Sequence, residues 1–145
     1  MIRGYFRSSG RPYVNISINM PDLGIFGMDV SFAVDTGADR TTIGHRDSIS
    51  LSGYHGIDLE SLPTGRQSLG IGGLSSTRQA RVSMRIGSIH IDHDIPILEP
   101  IPGRMAGLPS LLGRDILSHF ALFMEERTSR VLLLEPAEAD SLRVA

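Results

Sequence analysis

The sequence predicts an all-β domain, and three observations carry that prediction. Apolar residues recur at every second position through several short runs, turn-forming residues separate the runs, and one stretch alone switches to helical spacing. Val14, Ile16, Ile18 and Met20 alternate with Asn15, Ser17 and Asn19, the pattern of a half-buried strand. Phe26, Met28, Val30, Phe32 and Val34 repeat it, as do Val82, Met84 and Ile86. Residues 89–95 alternate in part after a Gly87-Ser88 turn, and residues 130–135 form a last apolar strand. Turns are signalled at Pro21-Asp22-Leu23-Gly24, Gly72-Gly73, Pro102-Gly103 and Thr128-Ser129.

The break in period falls at residues 111–120. Leu112, Ile116 and Phe120 stand four apart with Leu117 beside them, which predicts one short helix with a buried stripe. Residues 45–66 are polar, rich in Gly and Ser and without period, and read as a long loop or small lid. Residues 136–145 read as a frayed end. No repeat or linker divides the chain, so residues 1–145 are expected to form one domain.

Composition narrows the function. The chain has 145 residues, 41% hydrophobic and 21% charged, enough for one ordinary core. A net charge of −2 with scattered arginines offers no basic face for nucleic acid. The chain contains no lysine. The lack of cysteine removes disulfides, thiolate catalysis and cysteine-based metal sites. The first residues, Met1-Ile2-Arg3-Gly4-Tyr5-Phe6-Arg7, carry no apolar leader core, and no run nears the roughly 18 apolar residues of a membrane span. A cytoplasmic protein without membrane contact is the expectation.

Chemistry concentrates at Asp35-Thr36-Gly37. An apolar strand delivers a carboxylate to its own end, where the charge must meet donors or a partner to offset desolvation. Gly37 permits a close backbone approach or a positive φ, so that its N–H can be aimed at Asp35. A turn-capping Asp is the other reading of the same tripeptide. His90, Asp92 and Asp94 share one strand face, which reads as solvated rather than metal-binding, and no cofactor or metal is expected. Met20, Met28, Met84, Met105 and Met124 read as core or pocket filler.

Three segments in order, residues 32–39, Leu69-Gly70-Ile71-Gly72-Gly73 and residues 111–117, resemble the retroviral-type aspartic proteases, the retropepsins. The resemblance spans roughly residues 12–134 and implies a single-lobe β-barrel with a flap hairpin and one short C-terminal helix. It also implies an aspartic endopeptidase that hydrolyses internal bonds of a peptide or protein substrate, with apolar side chains preferred at the bond. Two carboxylates share a proton in that chemistry, because like charges about 3 Å apart cannot both ionise. One copy of Asp-Thr-Gly is present, so the second Asp35 must come from another chain, and a two-fold homodimer supplies it. The alternative is a catalytically silent dimeric peptide-binding module of the same fold.

By the same resemblance, Thr36 braces the pair across the dimer axis and Asp39 forms an ion pair with Arg114 within each subunit. A cation at a helix N-terminus opposes the helix dipole, so Arg114 calls independently for an acidic partner. Ala38 stands where pepsins place Ser; without that hydroxyl a carboxylate pKa is less depressed, which favours a working pH nearer neutral. Leu69 to Gly73 would be the flap, with Gly70 and Ile71 offering backbone groups to the substrate. Two features depart from the compact viral pattern: a longer segment between Asp39 and the flap, and a C-terminal hairpin built from residues 122–124 and 131–134 around the Thr128-Ser129 turn. That hairpin is similar to the end of a pepsin lobe or of cellular retropepsin-like domains.

Overall fold

The computed structural model describes residues 1–65, 68–70, 73–100 and 107–142. In chain order the elements are β1 (Ile2–Arg3), β2 (Tyr5–Phe6), β3 (Pro12–Met20), β4 (Ile25–Val34), α1 (His45–Gly53), β5 (Ser68–Gly70), β6 (Gly73–Ser75), β7 (Thr77–Ile86), β8 (Ile89–Leu98), β9 (Leu111–Leu112), α2 (Arg114–Leu117), β10 (Ala121–Glu125), β11 (Arg130–Leu134) and α3 (Pro136–Asp140). The chain is mostly β, as its alternation predicts.

The larger sheet runs β8–β7–β3–β4–β9, with β2 paired to β3. Hairpin β3–β4 turns through Pro21–Leu23 and closes on Gly24 at φ 68, a left-handed conformation suited to glycine. Its register sets Val14 opposite Phe32 and Ile16 opposite Val30, so both strands turn the same apolar set inward. Hairpin β7–β8 pairs without interruption from Thr77 and Leu98 to Ile86 and Ile89. Among the described residues the strands do not close into a barrel. Thr42 makes a single bridge to Leu111 and Ile43 one to Ile97, which draws the two ends of the sheet together. A second sheet, β1–β11–β10, joins the first strand to the last two, and β5–β6 is a separate hairpin. The core gathers Ile18, Met20, Phe32, Ile43, Leu51, Met84, Ile95, Ile97, Leu112, Ile116 and Leu133, all fully buried.

Three expectations need correcting. The loop expected at residues 45–66 contains α1, whose His45, Ser48 and Leu51 are buried. Its apolar content is low because Ser48 turns its hydroxyl onto the His45 carbonyl at 2.9 Å, so a polar residue fills a core position. The helix expected from residue 111 begins only at Arg114. Leu111 and Leu112 instead extend beside β4, because Ala33 and Asp35 donate their N–H groups to Ser110 and Leu112. The end expected to fray carries α3, with Pro136 in its first turn and a reciprocal Glu135–Glu138 capping box.

Candidate active site

Strand β4 ends at Val34, and Asp35 leaves it with its N–H bonded to the Leu112 carbonyl at 3.1 Å. Parallel pairing of Ala33 with Leu111 and Val34 with Leu112 fixes where that strand stops. Asp35 is half-buried, whereas Thr36 and Gly37 in the following turn are exposed. The Gly37 N–H donates to Asp35 Oδ1 at 2.9 Å, and the Ala38 N–H donates to the Asp35 carbonyl at 3.2 Å. A Cβ at Gly37 would stand 3.3 Å from Asp35 Oδ1, and Gly37 is not among the glycines of positive φ. Of the two expectations for Gly37, close approach is the one realised.

Helix α2 grips this turn from behind. Arg114 and Asp115 donate their backbone N–H groups to the carbonyls of Ala38 and Asp39 at 2.8 and 3.2 Å. Arg114 Nη2 pairs with Asp39 Oδ1, the partner that the helix dipole called for. Both side chains are largely exposed, so the pair contributes orientation more than stability. Asp115, not singled out from the sequence, carries the stronger brace. Its Oδ1 accepts from the N–H and hydroxyl of buried Thr41 at 2.9 and 2.7 Å and from the Ile116 N–H at 2.9 Å. The Thr41 hydroxyl in turn accepts from the Gly113 N–H at 3.0 Å. An acidic residue in a helix first turn was the available signal.

Asp35 opens into a cleft of about 700 Å³ lined by Ala33, Val34, Leu98, Leu108, Pro109 and Leu111, with Arg11, Arg40 and Asp39 among its polar walls. The lining therefore combines apolar surface with a few charged groups, as ligand clefts commonly do. Leu108 is held by its N–H bond to His45 Nδ1 at 2.9 Å, and the His45 side chain lies against Gly107, where a Cβ would meet its ring. His45 is buried and, among the described residues, its Nε2 has no hydrogen-bond partner. Burial pushes its pKa below the ordinary 6.5. Burial pushes Asp47 above 3.8, opposed by a bond from Ser110 and by Arg46 and Arg7.

The third expected segment is a hairpin: Leu69 pairs with Leu74 and Gly70 with Gly73 in β5–β6. Ile71 and Gly72 lie outside the described residues. The face of His90, Asp92 and Asp94 is satisfied within the chain, by Ser83 at 2.8 Å from His90 and by Arg81 at 2.8 and 3.7 Å from the two acids. Among the described residues no cluster of acidic or histidine side chains could hold a metal, and no helix is long and apolar enough to cross a membrane.

Asp-Thr-Gly thus stands at a strand end in a β-rich lobe, braced by a Gly-Arg-Asp helix start, and sequence comparison assigns a family to that arrangement. The chain matches the aspartyl protease family over residues 22–116, more than half its length, and belongs to that family. Its fold is similar to that of a retropepsin-like aspartic protease from Rickettsia conorii, at 21% identity and TM-score 0.58, covering 91% of this chain and 88% of that one. The EIAV protease in complex with an inhibitor aligns at 23% identity over 78% and 90% of the two chains, with TM-score 0.47. The retroviral protease-like domain of Ddi1 from Leishmania major aligns at 16% identity over 84% and 92%, with TM-score 0.40. Only the first is close enough in shape to support the shared fold. No match is found among curated proteins.

Proposed function

We propose that the protein is an aspartic endopeptidase active as a homodimer, with Asp35 of each copy forming the catalytic pair. The observation that carries this reading is the placement of Asp35: a half-buried carboxylate at the end of β4, bonded by Gly37 and open to the cleft. One lobe and one Asp-Thr-Gly supply half of the machinery, and a two-fold axis through the exposed Thr36–Gly37 turn supplies the rest. With one proton shared between the two acids, one Asp35 takes a proton from a water as it attacks the peptide carbonyl. The other donates its proton to the carbonyl oxygen. The first then passes the proton taken from water to the nitrogen, a hydroxyl of the gem-diol returns a proton to the second, and the C–N bond breaks to leave an acid and an amine. No metal or cofactor enters this scheme. Thr36 braces the pair across the axis, and Ala38, Asp39 and Arg114 hold the turn from within the subunit. The β5–β6 hairpin, with Leu69, Gly70, Ile71, Gly72 and Gly73, serves as the flap over an extended peptide or protein substrate. A cytoplasmic site of action completes the reading and is checked by cell fractionation.

Profiling of cleavage in a diverse peptide library tests the reading, with Asp35→Asn as the control. Removal of a positioned acid or base is expected to lower turnover by about 10²–10⁴-fold. An unchanged cleavage pattern in that variant removes Asp35 from the mechanism. Intact dimers that bind peptides without cutting them, in the unmodified protein, would favour the silent binding module instead.

A further inference from the structure

We propose that Arg40 selects substrates carrying a Glu or Asp side chain beside the bond to be cut, with Arg11 adding to the same positive field. The proposal rests on the peptidase reading for its substrate and on separate residues for its chemistry. Arg11 and Arg40 line the cleft that Asp35 opens into. Among the described residues neither takes part in an ion pair, whereas the cleft's other acid, Asp39, is already engaged by Arg114. With one proton shared, the two Asp35 groups keep a single negative charge between them, so the Arg11 and Arg40 guanidiniums leave the cleft with excess positive charge.

Arg40 is also mounted on a rigid base. A Cβ at Gly113 would stand 2.5 Å from the Arg40 carbonyl carbon, so glycine there lets α2 close directly onto the Arg40 backbone. The next residue, Thr41, is fully buried and held by Asp115 through two bonds. The side chain itself is exposed. A guanidinium on a fixed backbone presents its planar donor fork to a carboxylate with less freedom to lose than one on a mobile loop. Apolar lining from Leu98, Leu108 and Leu111 beside that fork suits a peptide with apolar residues at the bond and one acid flanking it.

The test uses octapeptides with two central leucines and either Glu or Gln placed in turn at each flanking position. Their binding is measured on the Asp35→Asn protein, so that the result does not depend on turnover. At one position the Glu peptide is expected to bind roughly two- to fivefold more tightly, the range of an exposed ion pair. That ratio should shrink in about 0.5 M salt, vanish when Arg40→Ala is added and survive in part with Arg40→Lys. A ratio of one at every position, or one that Arg40→Ala leaves intact, overturns the proposal. Loss of dimer mass in Arg40→Ala with the ratio intact overturns it too, and assigns the guanidinium to a partner copy's carboxylate. Cleavage of the same peptides by the unmodified protein separates the two readings. Cutting without any Glu effect sinks the selectivity alone, Glu-dependent binding without cutting sinks the peptidase alone, and no binding by any peptide sinks both.

Discussion

A methyl group at Gly113 would stand 2.5 Å from the carbonyl carbon of Arg40 and 2.9 Å from the N–H nitrogen of Thr41, both of them backbone atoms that cannot swing aside. Gly113→Ala should therefore push α2 off the catalytic turn. The expected loss is about 1–3 kcal/mol, read by chemical denaturation, because overpacking at a rigid contact forces backbone shifts. Gly53→Ala serves as the comparison, since nothing lies within 4 Å of its added methyl group; a loss there as large as at Gly113 would remove the steric explanation. His45 supplies a second residue-scale test. Its Nδ1 accepts the Leu108 N–H, so the ring must be neutral, and protonation would break the bond that holds the cleft wall. With its folded pKa below the ordinary 6.5, the unfolded chain binds more protons in that range. The contribution is whole above about pH 6.5 and is lost as pH falls toward the folded value. Asp47 acts in the opposite sense from about pH 3.8 upward, because its folded pKa is raised. His45→Gln, whose amide oxygen can still accept from Leu108, should flatten the melting temperature between pH 7 and pH 5. An equally steep fall in that variant would assign the acid sensitivity elsewhere.

Period-two alternation made β3, β4, β7 and β8 legible because each buries one face of a sheet and exposes the other. The elements that escaped owe their place to tertiary contacts. Strand β9 is two residues long, too short for any period, and exists because β4 on one side and Thr42 on the other bond to it. Helix α1 escaped because its buried face is His45, Ser48 and Leu51, of which only Leu51 is apolar. At the site, Asp35 and Arg114 stood out through strand and motif, and their positions in the turn and at the helix start follow from local chain direction. Arg11, Arg40, Leu98 and Leu108 come to the cleft from four separated segments, which spacing cannot reveal. The α1 reading has a direct check. Leu51 is fully buried, so Leu51→Ala should cost about 2–5 kcal/mol in unfolding free energy. A cost below about 0.5 kcal/mol, the level of surface changes, would return residues 45–53 to the loop or small lid expected from composition.

At the scale of the molecule, the first strand is drawn into one sheet with the last two. Strand β1 pairs Ile2 with Leu133 and Arg3 with Leu132, and the Met1 amino group pairs with Glu138 at 2.5 Å. The N-terminal strand therefore completes its own lobe, and Thr36–Gly37 remains exposed for a second copy to approach. Mixing separates a shared dyad from a site complete in one chain. With the unmodified protein held at constant concentration, an equal amount of Asp35→Asn is added and the two are refolded together. Random pairing puts half of the active chains into mixed dimers, so activity should fall to about half if both Asp35 carboxylates are required. The fall reaches half where association is tight; where it is weak, mixed dimers withdraw few active chains, and the requirement for two chains shows instead as specific activity that falls on dilution. Constant activity on mixing, together with specific activity that does not change on dilution, would mean that one chain suffices, and the second acid would have to be sought within it.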